Sequence, residues 1–378
     1  MIYLDYAAAA PARKEVRKVV RSMEKYFANP SSGHDAGNRA KWMIEGAREK
    51  IKEIMNASSK DKIIFTASGT ESLNLAIKGV AQAYRKKGSH IITSTIEHKA
   101  VLETCKFLEK EGFKVTYLKV DQYGRVNPKE VEKAITKKTI LVSIMYANNE
   151  VGTIQPIKEI AAIAKKKKVL FHTDACQAGF LALDVQQLGV DLLTLNSNKI
   201  YGPKGAGLLY LRKGVEIQPL IHGGGQEYGL RSGTENVAAI RGFGKALGLA
   251  QREKEQENKR LQELRAYFVS EVRKKILNTL LNGHPTERLP NNVHLSFAGV
   301  EAETVLYYLS LQGIFASAGS ACTANEIEVS HVLKAMNVPE KLARGSIRFS
   351  LGKYTGKRDI DKVIAVLVQV VNSLRKAF

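Results

Sequence analysis

A lysine that follows an apolar strand and precedes a glycine-proline turn is placed to do covalent chemistry. Lys199 stands so, in Asn196-Ser197-Asn198-Lys199-Ile200-Tyr201-Gly202-Pro203. A lysine in a partly closed site can lose its proton and condense with an aldehyde. Upstream, His172-Thr173-Asp174-Ala175-Cys176-Gln177 ends another apolar run. A carboxylate there could serve as a helix N-cap, or could hold a proton on a pyridine nitrogen and make that ring an electron sink, with Gln177 in reach of a ring hydroxyl. Further upstream, Ser68-Gly69-Thr70-Glu71 passes from strand to helix. Its free N–H groups and the Thr70 hydroxyl suit a phosphate, although the S-x-x-E spacing by itself also describes a capping box. Ser197 could add a phosphate contact. Taken in order, a phosphate turn, Asp-x-x-Gln and Ser-x-Lys point to pyridoxal 5'-phosphate (PLP).

A second kind of chemistry is suggested by Cys322, within Ala316-Ser317-Ala318-Gly319-Ser320-Ala321-Cys322-Thr323-Ala324-Asn325. The run is small, polar and short of apolar anchors, which predicts a mobile, exposed loop and a thiol fit for group transfer. Cys105 lies in a helical pattern and Cys176 beside the cofactor residues; both read as filler. With three cysteines, no CxxC pair and eight scattered histidines, neither a disulfide framework nor an intrinsic metal site is expected.

The elements that must carry these residues alternate. Strand-like runs at 63–66, 90–94, 114–120, 140–146, 169–173, 192–196 and 207–211 are interleaved with helical ones at 71–84, 99–110, 128–135 and 157–166. That pattern predicts an α/β fold with a mostly parallel sheet and helices on both faces, whose ligands sit at the carboxyl ends of the strands. After Gly244 the pattern changes. A charged helix over 251–276, with Leu261, Leu264, Phe268, Val272 and Ile276 in one stripe, reads as a connector. Beyond it, strands at 292–297 and 346–350 mix with helices at 303–311, 330–335 and 359–374. With 44% hydrophobic residues, the 378-residue chain is long enough for two domains.

The formal charge is +21. A lysine-rich solvated surface is the simplest reading, and an acidic protein partner the next. No basic motif with interleaved aromatics is present, so direct nucleic-acid binding is not expected. The most apolar run, 363–371, is too short to span a bilayer. No basic region and apolar core precede residues 7–12, so no signal peptide and a cytoplasmic setting are expected.

The sequence resembles the NifS/IscS-type cysteine desulfurases, class V aminotransferase-like PLP enzymes, nearly end to end. The resemblance is carried by Leu4-Asp5-Tyr6-Ala7-Ala8, Asn29-Pro30-Ser31-Ser32, Thr70-Glu71-Ser72, Glu97-His98-Lys99-Ala100-Val101 and Asn148-Asn149-Glu150-Val151-Gly152. Tyr201-Gly202-Pro203-Lys204-Gly205, Arg231-Ser232-Gly233-Thr234, Gly319-Ser320-Ala321-Cys322 and Arg348-x-Ser350-x-Gly352 complete it. It implies PLP fold type I: a large domain (15–258) with a seven-stranded sheet, and a small α+β domain (1–14 and 259–378) bearing the cysteine loop.

The same resemblance implies roles. Lys199 would carry the cofactor and His98 stack on its ring and help move protons. Gly69, Thr70, Ser197 and Asn198 would surround the phosphate, and Asp174 and Gln177 the ring. Asn149 would face cofactor and L-cysteine, and Arg348 the substrate carboxylate. Thr234 would reach the phosphate of a neighbouring subunit, hence a homodimer. Cys322 would take sulfur as a persulfide, leaving alanine. Its longer loop type implies supply to an iron–sulfur scaffold protein or to tRNA-thiolation carriers. A role for Cys322 as a cluster ligand in a partner complex stays open. The chain departs from the usual pattern at Asn198, where most relatives have histidine, and at Ala9 and Ala10, where threonines are usual. Rival readings are a selenocysteine lyase, a cysteine C–S lyase giving pyruvate, or a non-catalytic basic scaffold. The intact Lys199, Asp174 and Cys322 argue against the last.

Overall fold

In the computed structural model, residues 1–319 and 329–377 are described. In chain order the elements begin with β1 (Ile2–Tyr3), α1 (Lys14–Ser22), α2 (Asp35–Ile54), β2 (Lys62–Thr66) and α3 (Gly69–Tyr84). Then come β3 (His90–Ser94), α4 (Lys99–Lys110), β4 (Lys114–Leu118), α5 (Pro128–Ala134), β5 (Thr139–Ser143), α6 (Ile157–Lys166) and β6 (Leu170–Asp174). They continue as α7 (Val185–Leu188), β7 (Leu192–Asn196), β8 (Gly207–Leu211), α8 (Val237–Lys275), β9 (Thr279–Leu281) and β10 (Asn292–Phe297). The last are α9 (Ala302–Leu311), β11 (Ile314–Phe315), α10 (His331–Ala335), α11 (Glu340–Ala343), β12 (Ser346–Ser350) and α12 (Lys357–Ala377).

Seven strands form one sheet in the order β2-β8-β7-β6-β5-β3-β4. Only β8 runs against its neighbours; the other pairings are parallel. Alternation along each strand feeds two cores. Ile63 and Phe65, or Leu193 and Leu195, face one side; Ile64 and Leu192 face the other. A third core gathers Leu4, Phe268, Val293, Phe349, Ile360 and Leu367 around the antiparallel sheet β12-β10-β9 and the parallel pair β1-β11.

The expected connector helix is longer than its charged stretch suggests. It begins at Val237, not at 251. Its first turns are rich in alanine and glycine, and bury Ile240, Phe243 and Leu247 in a core of the large sheet. Its last turns put Leu261, Phe268 and Val272 in the third core. The charged middle conceals that continuity, because a helix crossing between cores has no single apolar stripe. Strand β4 stops at Leu118 and β5 at Ser143, earlier than expected; beyond β5 the buried Ile144, Met145 and Tyr146 lead on towards Asn149.

Two glycines let the strand ends close on one another. Gly207 of β8 pairs with Thr66 on one side and Asn196 on the other. A Cβ there would lie 2.4 Å from the Ser68 carbonyl carbon. At Gly69 a Cβ would lie 2.8 Å from Cys176 Sγ. The turn after β2 is thus pressed against the ends of β6 and β7.

Candidate active site

The carboxyl ends of β2, β3, β5, β6 and β7 supply Gly69 and Thr70, His98, Asn149, Asp174, and Ser197 to Lys199 respectively. At the first of these, Ser68 Oγ accepts from Glu71 N at 3.1 Å, so the capping spacing is realised in part. Glu71, however, reaches back to Ala67 N and holds Arg231 through Nε at 2.8 Å. The segment leading to Thr234 is thereby docked beside Thr70. Thr234 itself is exposed and, among the described residues, shares no hydrogen bond with the Lys199 cluster.

Asp174 is the buried last residue of β6, and its Oδ1 accepts from Cys176 N at 2.9 Å. It closes a tight turn, not a helix start. His172, two residues back, is pinned between Ser143 and Thr194. Burial lowers its pKa to about 3, so its ring is neutral and structural. Burial, with Asp174 adjacent, pushes the Cys176 thiol well up, and burial takes Cys105 up to about 12. Both remain thiols at neutral pH and are poor nucleophiles. His98 caps α4, its Nδ1 accepting from Ala100 N at 3.1 Å. The ring therefore has a structural role, and in its neutral form this bond leaves the proton on Nε2.

Lys199 Nζ donates to the carbonyls of Ala7 (2.8 Å) and Ala8 (2.5 Å), and Gln177 Nε2 donates to Ala7 O at 3.0 Å. Residues 5–10 therefore lie over the lysine. Two departures from the family pattern meet here, since Ala10 N donates to Asn198 O at 2.8 Å. Ala10 packs with Tyr6 and Tyr201, where a hydroxyl would be buried against two rings. Arg348 lies on edge strand β12, yet it is buried. Its Nη2 pairs with Asp5 at 2.7 Å and its Nη1 donates to Asn149 O at 3.0 Å. The fork thus sits beside Asn149.

Three acids of this site have roles that sequence reasoning did not assign. Asp5 neutralises Arg348; a buried arginine demands a counter-charge, and that demand was the available signal. Glu97 is fully buried, accepting from Ser94 Oγ at 2.6 Å and from Met145 N. Glu150 is 2% exposed and accepts from Ser330 Oγ. Cys322 lies outside the described residues, as does any geometry at its thiol.

The donor set fits PLP. Ser197 Oγ, Asn198 Oδ1 and Thr173 Oγ1 are buried at these strand ends without a partner among the described residues. Two of them belong to the segment expected around the phosphate, where hydroxyl and amide groups need an outside partner. No cluster of three or more His, Cys, Asp or Glu that could hold a metal occurs among the described residues.

Residues 2–363 match the family described as Aminotransferase class-V. A cysteine desulfurase IscS of Dictyoglomus turgidum is 54% identical over 376 residues, 99% of this chain and 95% of that one. One of Methanosarcina thermophila is 51% identical over 99% and 93%. Among solved structures, a NifS-like protein superposes with a TM-score of 0.92 at 39% identity, covering 98% of this chain and 99% of that one. SspA in complex with cysteine gives a TM-score of 0.81 at 37% identity, over 94% and 100%. The expected fold, family and cofactor are borne out: with a seven-stranded sheet of this order and a match over nearly its whole length, the chain belongs to the class-V aminotransferase family of PLP enzymes.

Proposed function

We propose that the chain is a PLP-dependent cysteine desulfurase, converting L-cysteine to L-alanine and holding the sulfur as a persulfide on Cys322. The observation that carries this reading is the N-terminal segment. Asp5 holds Arg348 while Ala7 and Ala8 hold Lys199. Three residues span at most ~10 Å, so one short segment ties the carboxylate clamp to the lysine. Similarity to cysteine desulfurases, and to a relative solved with cysteine, supports the substrate.

When bound, the cofactor supplies an electron sink at the substrate α-carbon. In this reading Asp174 keeps the ring nitrogen protonated and Gln177 meets the ring hydroxyl. Gly69, Thr70, Ser197 and Asn198 hold the phosphate, joined by Thr234 of a neighbouring subunit. Arg348 takes the substrate carboxylate and Asn149 orients it. Lys199 and His98 Nε2 move the α-proton. Cys322 then bonds to the substrate sulfur as the carbon–sulfur bond breaks, and the carbon, protonated, leaves as alanine. Gly319, three residues before Cys322, abuts Glu150, whose neighbour Asn149 binds Arg348. Cys105 and Cys176, both held as thiols, are poor substitutes.

The active species is a cytoplasmic homodimer, and the large domain ends near residue 258. Exposed Phe27, Trp42, Ile221 and Tyr228 support an interface on the large half. The sulfur goes to an acidic acceptor, an iron–sulfur scaffold protein or a tRNA-thiolation carrier, as the charge of +21 favours. No helix among the described residues is long and apolar enough to cross a membrane. The test is Cys322→Ala. It should bind PLP and cysteine but neither release alanine nor gain sulfur, while mass spectrometry of the wild type puts the extra sulfur on the Cys322 peptide. Normal alanine release by Cys322→Ala, or pyruvate as the product, would sink the proposal.

A further inference from the structure

We propose that Glu150 is a positioning residue for sulfur transfer: its carboxylate clasps both ends of the segment that carries Cys322 and fixes them to the turn that holds Arg348. The inference rests on the reading of Cys322 as sulfur carrier. Ser330, just after that segment, donates its hydroxyl to Glu150 Oε2 at 2.5 Å while its oxygen caps α10 by accepting from Val332 N at 3.1 Å. Gly319, just before the segment, has φ +70°, and a Cβ there would lie 3.1 Å from the same Oε2. One carboxylate oxygen therefore bonds to Ser330 and packs against Gly319.

The backbone that carries the carboxylate is itself held. Asn148 Oδ1 accepts from the N–H groups of Glu150 and Val151, each at 2.9 Å, and Asn292 Nδ2 donates to Glu150 O at 2.8 Å. The same turn offers Asn149 O to Arg348. Ser317, two residues before Gly319, exchanges backbone hydrogen bonds with Arg348 in both directions. A second tether, His331 Nε2 to Glu97 O at 3.0 Å, fixes the far side. Pinning the two ends of a chain segment removes closure entropy before reaction and raises the effective concentration of a group it carries. Here the first end is bonded to Arg348 and the second to Glu150, next to Asn149. The clasp would act by shortening the search for a reactive geometry, which is the quantity the persulfide rate reads.

The experiment compares PLP-loaded wild type with Ser330→Ala, Glu150→Ala, Glu150→Gln and Cys322→Ala. Cysteine binding is read from the cysteine-induced change in cofactor absorbance, and sulfur transfer from single-turnover appearance of persulfide on the Cys322 peptide. Ser330→Ala and Glu150→Ala should keep cysteine affinity within about twofold and lose about tenfold or more in the persulfide rate. Glu150→Gln, which can still accept from Ser330, should recover most of that rate. Where Glu150→Ala fails to fold, Ser330→Ala decides. A wild-type persulfide rate in Ser330→Ala overturns the proposal, and so does a parallel loss of cysteine affinity, which would mark a merely structural contact. Alanine release by Cys322→Ala at the wild-type rate refutes the desulfurase reading beneath it. A silent Cys322→Ala beside an unimpaired Ser330→Ala refutes the clasp alone.

Discussion

Glu97 sets up a pH dependence that can be worked from its surroundings. Its carboxyl is wholly buried beyond β3, and burial raises its pKa from 4.5 to about 8, with the nearby charge of Asp174 acting in the same direction. Hydrogen bonds from Ser94 and Met145 oppose the rise without cancelling it. The folded chain therefore keeps a proton that the unfolded chain releases above its ordinary value. A group of this kind stabilises the fold fully below the unfolded pKa, and its contribution is lost as pH climbs towards the folded one. Each pH unit inside that window removes ~1.4 kcal/mol, so between pH 5 and 8 the loss from Glu97 is on the order of 3 kcal/mol. Glu97→Gln is the matching perturbation. Its amide oxygen can still accept from Met145 N and Ser94 Oγ, and it does not titrate. Urea unfolding followed by circular dichroism at pH 5, 6, 7 and 8 should show wild type weakening relative to the variant, the gap widening with pH by about 3 kcal/mol. Parallel curves across that range would mean that Glu97 is ionised throughout and that burial does not govern it.

Lys199→Ala should leave the chain folded and bind PLP only reversibly. Borohydride reduction followed by mass spectrometry should find no cofactor fixed to the protein, whereas wild type is labelled on the Lys199 peptide. Arg48 makes a bidentate pair with Glu227, both oxygens at 2.8 Å, with both side chains buried. Arg48→Met leaves that carboxylate unpaired and should cost about 3–5 kcal/mol, read as a drop in the urea midpoint at constant slope.

Much of this architecture could be read in advance because its signals are local. The bounds of β3, α4, α6, β7, β8, β10 and β12 coincide with apolar runs edged by turn residues, and the chemistry-bearing residues follow those edges. What escaped depends on contacts across the chain. The two-residue strands β1 and β11 are too short to show a period, and pair Ile2 with Ile314 and Tyr3 with Phe315. Helix α2 has a visible apolar stripe, yet it stands before the first strand of the large sheet, where β-α alternation gave no place for it. Asp5, Glu97 and Glu150 looked like ordinary motif residues. Their partners Arg348, Met145 and Ser330 stand respectively 343, 48 and 180 positions away. The third core likewise draws Leu4 together with residues beyond 260, so no contiguous stretch of sequence displays it.

Those distant pairings form one continuous polar chain through the site. Ser330 meets Glu150; the turn beside Glu150 meets Arg348; Arg348 meets Asp5; and two and three residues on, Ala7 and Ala8 meet Lys199. Each link answers a local need. Arg348 is 1% exposed, and an unpaired buried guanidinium would be costly, so Asp5 supplies the charge. The Ala7 and Ala8 carbonyls accept from Lys199 Nζ and orient it beneath the N-terminal segment. Asp5 keeps its carboxylate at 16% exposure against 2% for Arg348. An incoming substrate carboxylate therefore competes for the guanidinium with the partner that rejoins water at the lesser cost. Asp5 thus holds the carboxylate clamp while Ala7 and Ala8 orient the lysine, and the short segment between Asp5 and Ala8 keeps the two in register.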